Sequence, residues 1–278
     1  AKIQYTNVRP YFNLINQEID WITPPASLEG SAMFRHQIGK SGMVKMFGNF
    51  NRSEYTLYNH DIDDPAVKQS YDLVNNYQYL NGAFRTAVGK DWSVRGGLSY
   101  SRIKDRVKDT STRITLNDGI HAKLVLEGEL APSVELKSGV EWVNHSFEQS
   151  IEDFGLSQSV DDNLIAGFAE SDVYLSNRFV TRIGGRAEYS HLQNTLVVDP
   201  RVSLAYKIVD DGTLSLSYGK FRQSAQPRHL LVNAELRSEK SDHYILSYQV
   251  VKNSRTFRAE VYYKEYDELV KAQGPQLN

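Results

Sequence analysis

An acidic segment within a polar stretch is the first candidate for a chemical site. His60 is followed by Asp61, Asp63 and Asp64, so carboxylates recur at nearly alternate positions. Because carboxylate oxygens are ligands that Ca²⁺ prefers, the three aspartates form a candidate calcium site. The spacing lacks the Gly at the sixth position and the Glu at the twelfth position of an EF-hand loop. A solvated acidic loop explains the same residues, and we expect no other metal site.

A second group of polar residues surrounds Pro227 in a long polar stretch. Binding residues are often carried on loops, and amide and guanidinium groups there could contact a ligand. An aromatic side chain near the start of the chain could stack on a sugar or on a siderophore. Ordinary loop polarity, or packing of the aromatic ring on a neighbouring loop, explains these residues equally well. The candidate ligand-binding residues are Arg222, Gln223, Gln226, Arg228, His229 and Trp21.

Charged residues also recur at every second position in several segments, opposite apolar ones. On one face of a sheet they could line the path of a polar solute. The alternative is cross-strand charge pairing on a wet wall, which stabilises a sheet by about 0.2 to 1 kcal/mol for each pair. The candidates for the polar inner face are Arg182, Arg186, Arg201, Glu170 and Asp172.

The motifs of common enzymes are missing from this sequence. No Gly-x-Ser-x-Gly, His-Glu-x-x-His, P-loop or Gly-x-Gly-x-x-Gly occurs. Without cysteine there is no thiolate zinc site, iron–sulfur cluster or cysteine nucleophile. We therefore predict that the protein is not an enzyme and has no cofactor. A hydrolase with Ser and His on adjacent strand rims is the last-ranked alternative, since no specific pair supports it.

The amino-acid composition limits the kinds of secondary structure that can hold these residues. The 278 residues carry a net charge of −2, which excludes a strongly basic, phosphate-driven nucleic-acid binder. The mean hydropathy of −0.48 and the lack of any long apolar run exclude helical membrane spans. A membrane β-barrel stays possible because its strands show an apolar residue to lipid only at every second position. The 17 Tyr against 3 Met favour pleated strands over packed helices.

Apolar and polar residues alternate along most of the chain. In residues 214–218, Leu214, Leu216 and Tyr218 alternate with Ser215 and Ser217. Such strict alternation predicts β-strands with one apolar face. We place about thirteen strands by this signal and find no stretch with a helical period.

The predicted connections alternate between tight turns and long polar stretches. This arrangement is typical of an outer-membrane barrel, whose turns are periplasmic and whose loops are extracellular. A soluble β-sandwich or lipocalin-like barrel would also show alternation, but long strands and aromatics near strand ends favour the membrane barrel. Tight turns are expected near residues 39–42, 89–91, 131–133, 176–178, 210–212 and 252–254, and long polar stretches at 9–31, 58–76, 107–117, 150–163, 191–199 and 222–241.

Several segments resemble the barrel of TonB-dependent outer-membrane receptors of the Bacteroidetes type. The resemblance is strongest over residues 165–271. It rests on the residue patterns of strands and turns and includes no catalytic motif. It implies a 22-stranded barrel that holds a plug domain, in the outer membrane of a Gram-negative bacterium. It also implies TonB-driven uptake of a siderophore, cobalamin, glycan or peptide, and arginines that contact the plug. The segments are residues 199–206, 212–221, 226–227, 239–249 and 257–266.

These observations combine into one expectation for the whole chain. The fold is all-β, an antiparallel up-and-down meander of about thirteen strands that is part of a larger transmembrane β-barrel. Residues 1–278 are expected to be an internal section of that single barrel domain, with the plug and the closing strands supplied elsewhere. Expected partners are outer-membrane lipid, the plug, TonB and a possible surface lipoprotein, but no nucleic acid. The alternative function is a non-transporting β protein whose long loops bind a surface or a protein.

Overall fold

The computed structural model describes residues 1–15, 19–60, 64, 67–273, 276 and 277, with only the backbone described at 272, 273, 276 and 277. Thirteen antiparallel strands form one sheet whose spatial order follows the sequence, which confirms the predicted meander. The strands are β1 Lys2–Asn7, β2 Trp21–Ile38, β3 Gly42–His60, β4 Lys68–Val88, β5 Trp92–Lys108, β6 Thr112–Ala131, β7 Val134–Ile151, β8 Leu156–Ser176, β9 Phe179–Ser190, β10 Thr195–Val209, β11 Gly212–Gln223, β12 Glu239–Lys252 and β13 Arg255–Asp267.

Helical structure is limited to short turns in the described residues. The helices α1 Arg9–Phe12 and α2 Pro227–Leu230 each have four residues, and Glu152–Phe154 forms a 3-10 turn. A two-residue hairpin pairs Ala272–Gln273 with Gln276–Leu277. No helix in the described part of the chain is long and apolar enough to cross a membrane.

The connections after even-numbered strands are tight, as predicted. They comprise residues 39–41, 89–91, 132–133, 177–178, 210–211 and 253–254. Gly39 and Gly89 adopt φ values of +61° and +68°, a left-handed conformation that glycine enters without steric cost. These turns set the register of the hairpins that they close.

Three of the predicted long loops are wrong. The connections after β5, β7 and β9 comprise only residues 109–111, 152–155 and 191–194, because the strands continue through most of the predicted loops. The strands β2 to β8 have 17 to 21 residues each, beyond the 9 to 11 that a bilayer requires. These stretches are rich in polar residues, but in one of them Ile114 and Leu116 continue the alternation of β6.

Contacts divide the chain into two compact units, which we describe separately. The first unit comprises Ala1–Phe84, Gly97–Ala122 and Val143–Asp162, and the second comprises Arg85–Gly96, Lys123–Trp142 and Asn163–Asn278.

In the second unit, apolar residues form continuous rows across neighbouring strands. Leu204, Leu216, Leu246 and Val261 pair in register from β10 to β13. Their side chains are not covered by protein, since Leu216 is 53% exposed and Val261 is 72% exposed. The described residues include no large side chain that is fully buried. The apolar face is therefore a surface of the sheet and not half of a packed core.

Candidate functional site

The opposite face of the second unit is charged, and its best-defined element is an ion pair across the β8–β9 hairpin. Asp172 and Arg182 are register partners. Nε and Nη2 of Arg182 each donate a hydrogen bond to Asp172, at 2.6 Å. Glu170 lies 3.5 Å from the same Nε. Because a guanidinium and a carboxylate match as two planar forks, this pair fixes the direction of the Arg182 side chain.

A groove of about 600 Å³ surrounds this pair. Its other wall holds Glu127, which is 3.6 Å from Nη2 of Arg85 and 3.5 Å from Nη2 of Arg95. Acidic and basic groups are thus interspersed along the groove, and no single sign of charge dominates it.

Arg186 is the centre of a second cluster on the same face. It lies 2.5 Å from Glu141 and 2.6 Å from Glu188, and Lys123 also approaches Glu141 at 3.4 Å. These charges line a neighbouring groove of about 420 Å³, to which Arg201 also contributes. The charged face is therefore held in a fixed arrangement by its own pairs.

The register places all five predicted inner-face residues on this one face. Glu170 and Arg201 both oppose Gly184 in β9, one from each side. The guanidinium of Arg201 also lies 4.7 Å above the ring centre of Phe221. The assignment of this face to a barrel lumen and to a plug stays a prediction. The residues that share the face are Arg182, Arg186, Arg201, Glu170 and Asp172.

The predicted ligand-binding residues fall into two structural groups. Arg222 and Gln223 were expected in a loop, but they are the last residues of β11 and pair with Lys240 and Glu239. Nε of Arg222 donates a hydrogen bond of 2.9 Å to Asp199, whose side chain is only 8% exposed. Arg222 is therefore held by a buried carboxylate, whereas Gln223 is exposed.

The second group lies in the connection between β11 and β12, where α2 forms. Gln226 precedes α2 and is exposed, as is Arg228 within it. His229 is half-buried, and its Nδ1 is buried without a hydrogen-bond partner among the described residues. Leu230 is 5% exposed and anchors the helix. The helix thus presents Gln226 and Arg228 outward and turns Leu230 inward.

The same connection is tied to the turn between β9 and β10. Nε2 of Gln193 donates to the carbonyl of Leu236 at 3.2 Å, and Ser238 donates to Oε1 of Gln193 at 2.7 Å. Ala225 and Leu236 in the same connection are buried. Residues 224–238 are therefore tethered to the neighbouring turn and contribute buried apolar side chains.

Trp21 was expected in the first long loop, but it is the first residue of β2. Its ring stacks on Phe12 at 5.8 Å and meets the edge of Tyr55 at 5.8 Å. Its Nε1 is buried and has no hydrogen-bond partner among the described residues. The ring therefore packs between α1 and β3, because the strand starts earlier than polarity suggested.

The calcium candidates cannot be assembled from the described residues. Asp61 and Asp63 lie outside them, and Asp64 lies in the connection to β4. The described part of the chain contains no group of three His, Cys, Asp or Glu residues that could hold a metal ion. Nearby, Lys68 donates a 2.6 Å hydrogen bond to Asp20, which lowers the pKa of Asp20 below its ordinary value.

Sequence reasoning missed the residues that hold the candidates in place. Asp199 holds Arg222, and Gln193 holds the loop that carries Arg228. Both residues lie in the polar stretch 191–199, which was predicted to be a long loop. Only the register, which brings β10 beside β11, could have indicated the Asp199 contact.

Comparison with known proteins identifies a family of this architecture. Residues 49–276 match the family model described as TonB dependent receptor-like, beta-barrel. The chain matches no curated protein sequence.

Solved structures with the same fold include two receptors and one transporter. The ferric enterobactin receptor PfeA of Pseudomonas aeruginosa superposes with a TM-score of 0.72 at 11% identity, over 92% of this chain and 45% of that chain. The ferric yersiniabactin uptake receptor FyuA of Yersinia pestis gives 0.69 at 13% identity, over 88% and 46%. The copper transporter OprC gives 0.70 at 11% identity, over 89% and 46%. The chain thus spans less than half the length of these structures.

Proposed function

We propose that this chain, which belongs to the TonB-dependent receptor β-barrel family, forms the wall and the external loops of a receptor that imports a scarce nutrient. It is a protein of the outer membrane of a Gram-negative bacterium. Members of the family are receptors and transporters rather than enzymes. The import activity and its substrate are the parts that need a test.

The observation that carries this proposal is the opposite character of the two faces in the second unit. One face exposes rows such as Leu216 with Leu246, while the other exposes ion pairs such as Asp172 with Arg182. A sheet with an exposed apolar face and a charged face suits lipid on one side and water or protein on the other.

The charged face is suited to hold the plug of a complete receptor. Arg182 uses Nε and Nη2 for Asp172 and is still 53% exposed, so its remaining N–H donors face the groove. Carboxylates or carbonyls of a plug segment would accept these hydrogen bonds. In this proposal TonB acts on the plug and not on the charged face itself.

The exposed residues at the loop ends of the strands are suited to meet the nutrient. Gln223, Gln226 and Arg228 are exposed, whereas Arg222 pairs with the buried Asp199 and His229 is half-buried. We assign ligand contact to the first three. A surface lipoprotein over these loops belongs to the same proposal.

The first substrate class to test is a chelated metal. The structural neighbours include receptors for ferric enterobactin and ferric yersiniabactin and a copper transporter. An exposed arginine such as Arg228 would complement an anionic metal chelate. Cobalamin, glycans and peptides are the other classes to test.

The experiment is an uptake assay with the full-length receptor in a host that lacks its own siderophore receptors. Ferric enterobactin, ferric yersiniabactin and cobalamin, each radiolabelled, are supplied in separate assays. An oligosaccharide pool and an oligopeptide pool are supplied in two further assays. Uptake of one of them that disappears in a tonB-deleted host supports the proposal. Surface binding of cells or proteins without TonB-dependent uptake of any compound would support the non-transporting alternative.

A further inference from the structure

One face of β5 changes from apolar to basic within the first unit. Leu98 and Tyr100 project from the apolar face, and the next four residues on that face are all basic. The residues between them project from the other face, where Asp105 accepts a hydrogen bond from Asn75 at 2.5 Å. This basic row consists of Arg102, Lys104, Arg106 and Lys108.

A polar residue follows the apolar stretch at the matching position on the neighbouring strands β3, β4 and β6. Phe50, Leu80 and Ile120 are followed on the same faces by Arg52, Gln78 and Asp118, and apolar residues recur farther along β4 and β6, at Val74, Leu116 and Ile114. A border shared by several strands is typical of the boundary between hydrocarbon and headgroups. The start of the basic row therefore matches the pattern expected at such a boundary.

Little of the charge in the basic row is neutralised by the protein. Nε of Arg102 lies 3.6 Å from Asp118. Within the described residues, no carboxylate lies within 4.0 Å of Lys104, Arg106 or Lys108. Residues two apart on a strand are separated by about 6.6 Å, so the row presents evenly spaced cations.

An apolar groove of about 450 Å³ lies on the same face, directly beside the start of the row. Gly48 keeps the groove open, because a β-carbon at this position would lie only 3.1 Å from Leu80 and would occupy part of the space. Tyr100 lines the groove and precedes Arg102 on the same face of β5. The groove is lined by Gly30, Ala32, Gly48, Phe50, Leu80 and Tyr100, among others.

We propose that the groove and the basic row together bind one anionic lipid of the outer leaflet. Its acyl chain lies in the groove, and its headgroup phosphates lie on Arg102, Lys104 and Arg106. Arginine matches phosphate as a fork, and clustered basic residues at a membrane border attract anionic headgroups. The adjoining apolar groove favours a lipid over free phosphate as the source of these phosphates. The inference rests on the outer-membrane location and not on what the receptor imports.

The test measures lipid binding to the purified full-length receptor by native mass spectrometry. The probes are lipid A with two phosphates, its dephosphorylated form and inorganic phosphate. The double variant Lys104→Gln/Arg106→Gln removes two charges from the basic row. The control is the double variant Lys40→Gln/Arg178→Gln, which removes two charges from tight turns. We expect about 30-fold weaker binding of lipid A in the first variant and unchanged binding in the second.

A second variant tests the groove. Ala32 is exposed on the apolar face and lines the groove, so Ala32→Phe places a ring at the groove, and Ala259→Phe on β13 adds the same bulk elsewhere. We expect only Ala32→Phe to weaken lipid A binding. Heat-modifiable mobility on SDS gels verifies that each variant is folded.

The outcomes separate this inference from the import function. Equal binding of lipid A and its dephosphorylated form, or equal binding by both double variants, overturns the proposal. Displacement of lipid A by millimolar inorganic phosphate would also overturn it, in favour of a free anion site. A receptor that imports none of the tested nutrients leaves the lipid measurement intact.

Discussion

Asp172 accepts two hydrogen bonds from Arg182, both at 2.6 Å, across the β8–β9 hairpin. The pair couples adjacent strands on the charged face, and it leaves Arg182 partly exposed to the groove. The arginine therefore stabilises the sheet and still presents free N–H donors to the groove. This double role makes the pair the most informative point for mutation.

Arg182→Lys and Asp172→Asn should show that the pair is bidentate. Lysine keeps the charge but cannot form the planar fork, so we expect loss of most of a coupling energy of about 0.5 to 1 kcal/mol. A double-mutant cycle on the thermal transition of the full-length receptor measures this coupling. Undiminished coupling in the Arg182→Lys variant would contradict the bidentate geometry.

Leu216→Arg and Ser215→Arg should differ although the two residues are adjacent. Leu216 is 53% exposed on the apolar face, and an arginine facing lipid near the midplane costs about 2 to 4 kcal/mol. Ser215 lies on the charged face, where arginine remains solvated. We expect reduced outer-membrane assembly for Leu216→Arg alone, measured as the heat-modifiable fraction on SDS gels. Similar assembly of both variants would argue against a lipid-facing row.

Arg222→Met and Arg228→Ala should separate support of the fold from ligand contact. Arg222 satisfies the buried carboxylate of Asp199, so its loss should destabilise the protein by about 1 to 3 kcal/mol. Arg228 is exposed, so its loss should leave stability unchanged while, in the proposed function, nutrient binding weakens. Urea unfolding in lipid vesicles and equilibrium binding of the nutrient provide the two measurements. A clear loss of stability in Arg228→Ala would refute this division.

Gly30→Ala should be destabilising because of the ring above it. A β-carbon at Gly30 would overlap the ring of Phe50, whereas one at Gly82 would meet nothing within 4 Å. We expect a cost of about 1 to 3 kcal/mol for Gly30→Ala and almost none for Gly82→Ala. Urea unfolding in lipid vesicles measures both. Phe50→Leu should relieve part of the cost, and strictly additive effects would show that the contact is unimportant.

The Asp20 carboxyl should titrate at lower pH than an isolated aspartate. The hydrogen bond from Lys68 lowers the pKa of Asp20 and stabilises its ionised form in the fold. The stabilisation is therefore present above the ordinary aspartate pKa and disappears as the pH falls through the lowered value. Carboxyl NMR of labelled protein should show the midpoint rising in Lys68→Gln. An unchanged midpoint would mean that the contact is absent in solution.

The strands were predictable from sequence because one face of each must avoid water. Residues 214–218 show this, since the predicted apolar set Leu214, Leu216 and Tyr218 shares one face of β11. The tight turns were predictable too, because positions such as Gly39 need a left-handed backbone. Both signals are local, so one unaligned chain contains them.

The strand ends and the site were harder to predict because their signals are not local. Arg222 seemed to lie in a loop, yet it continues β11 because Lys240 pairs with it from β12. Trp21 begins β2 for the same reason, since it pairs with Leu57 of β3. Polar residues are frequent near these strand ends, so composition suggested loops where the strands continue. That the predicted arginines share one face could be predicted, because side chains at every second position of a strand lie on the same face.

The bonds of Gln193 to Leu236 and Ser238 have a further consequence for how this receptor can diversify. The tether and the buried side chains of the loop maintain its shape, so the exposed side chains of Gln226 and Arg228 are not needed for its structure. A lineage could therefore exchange either residue without first acquiring compensating changes in the barrel.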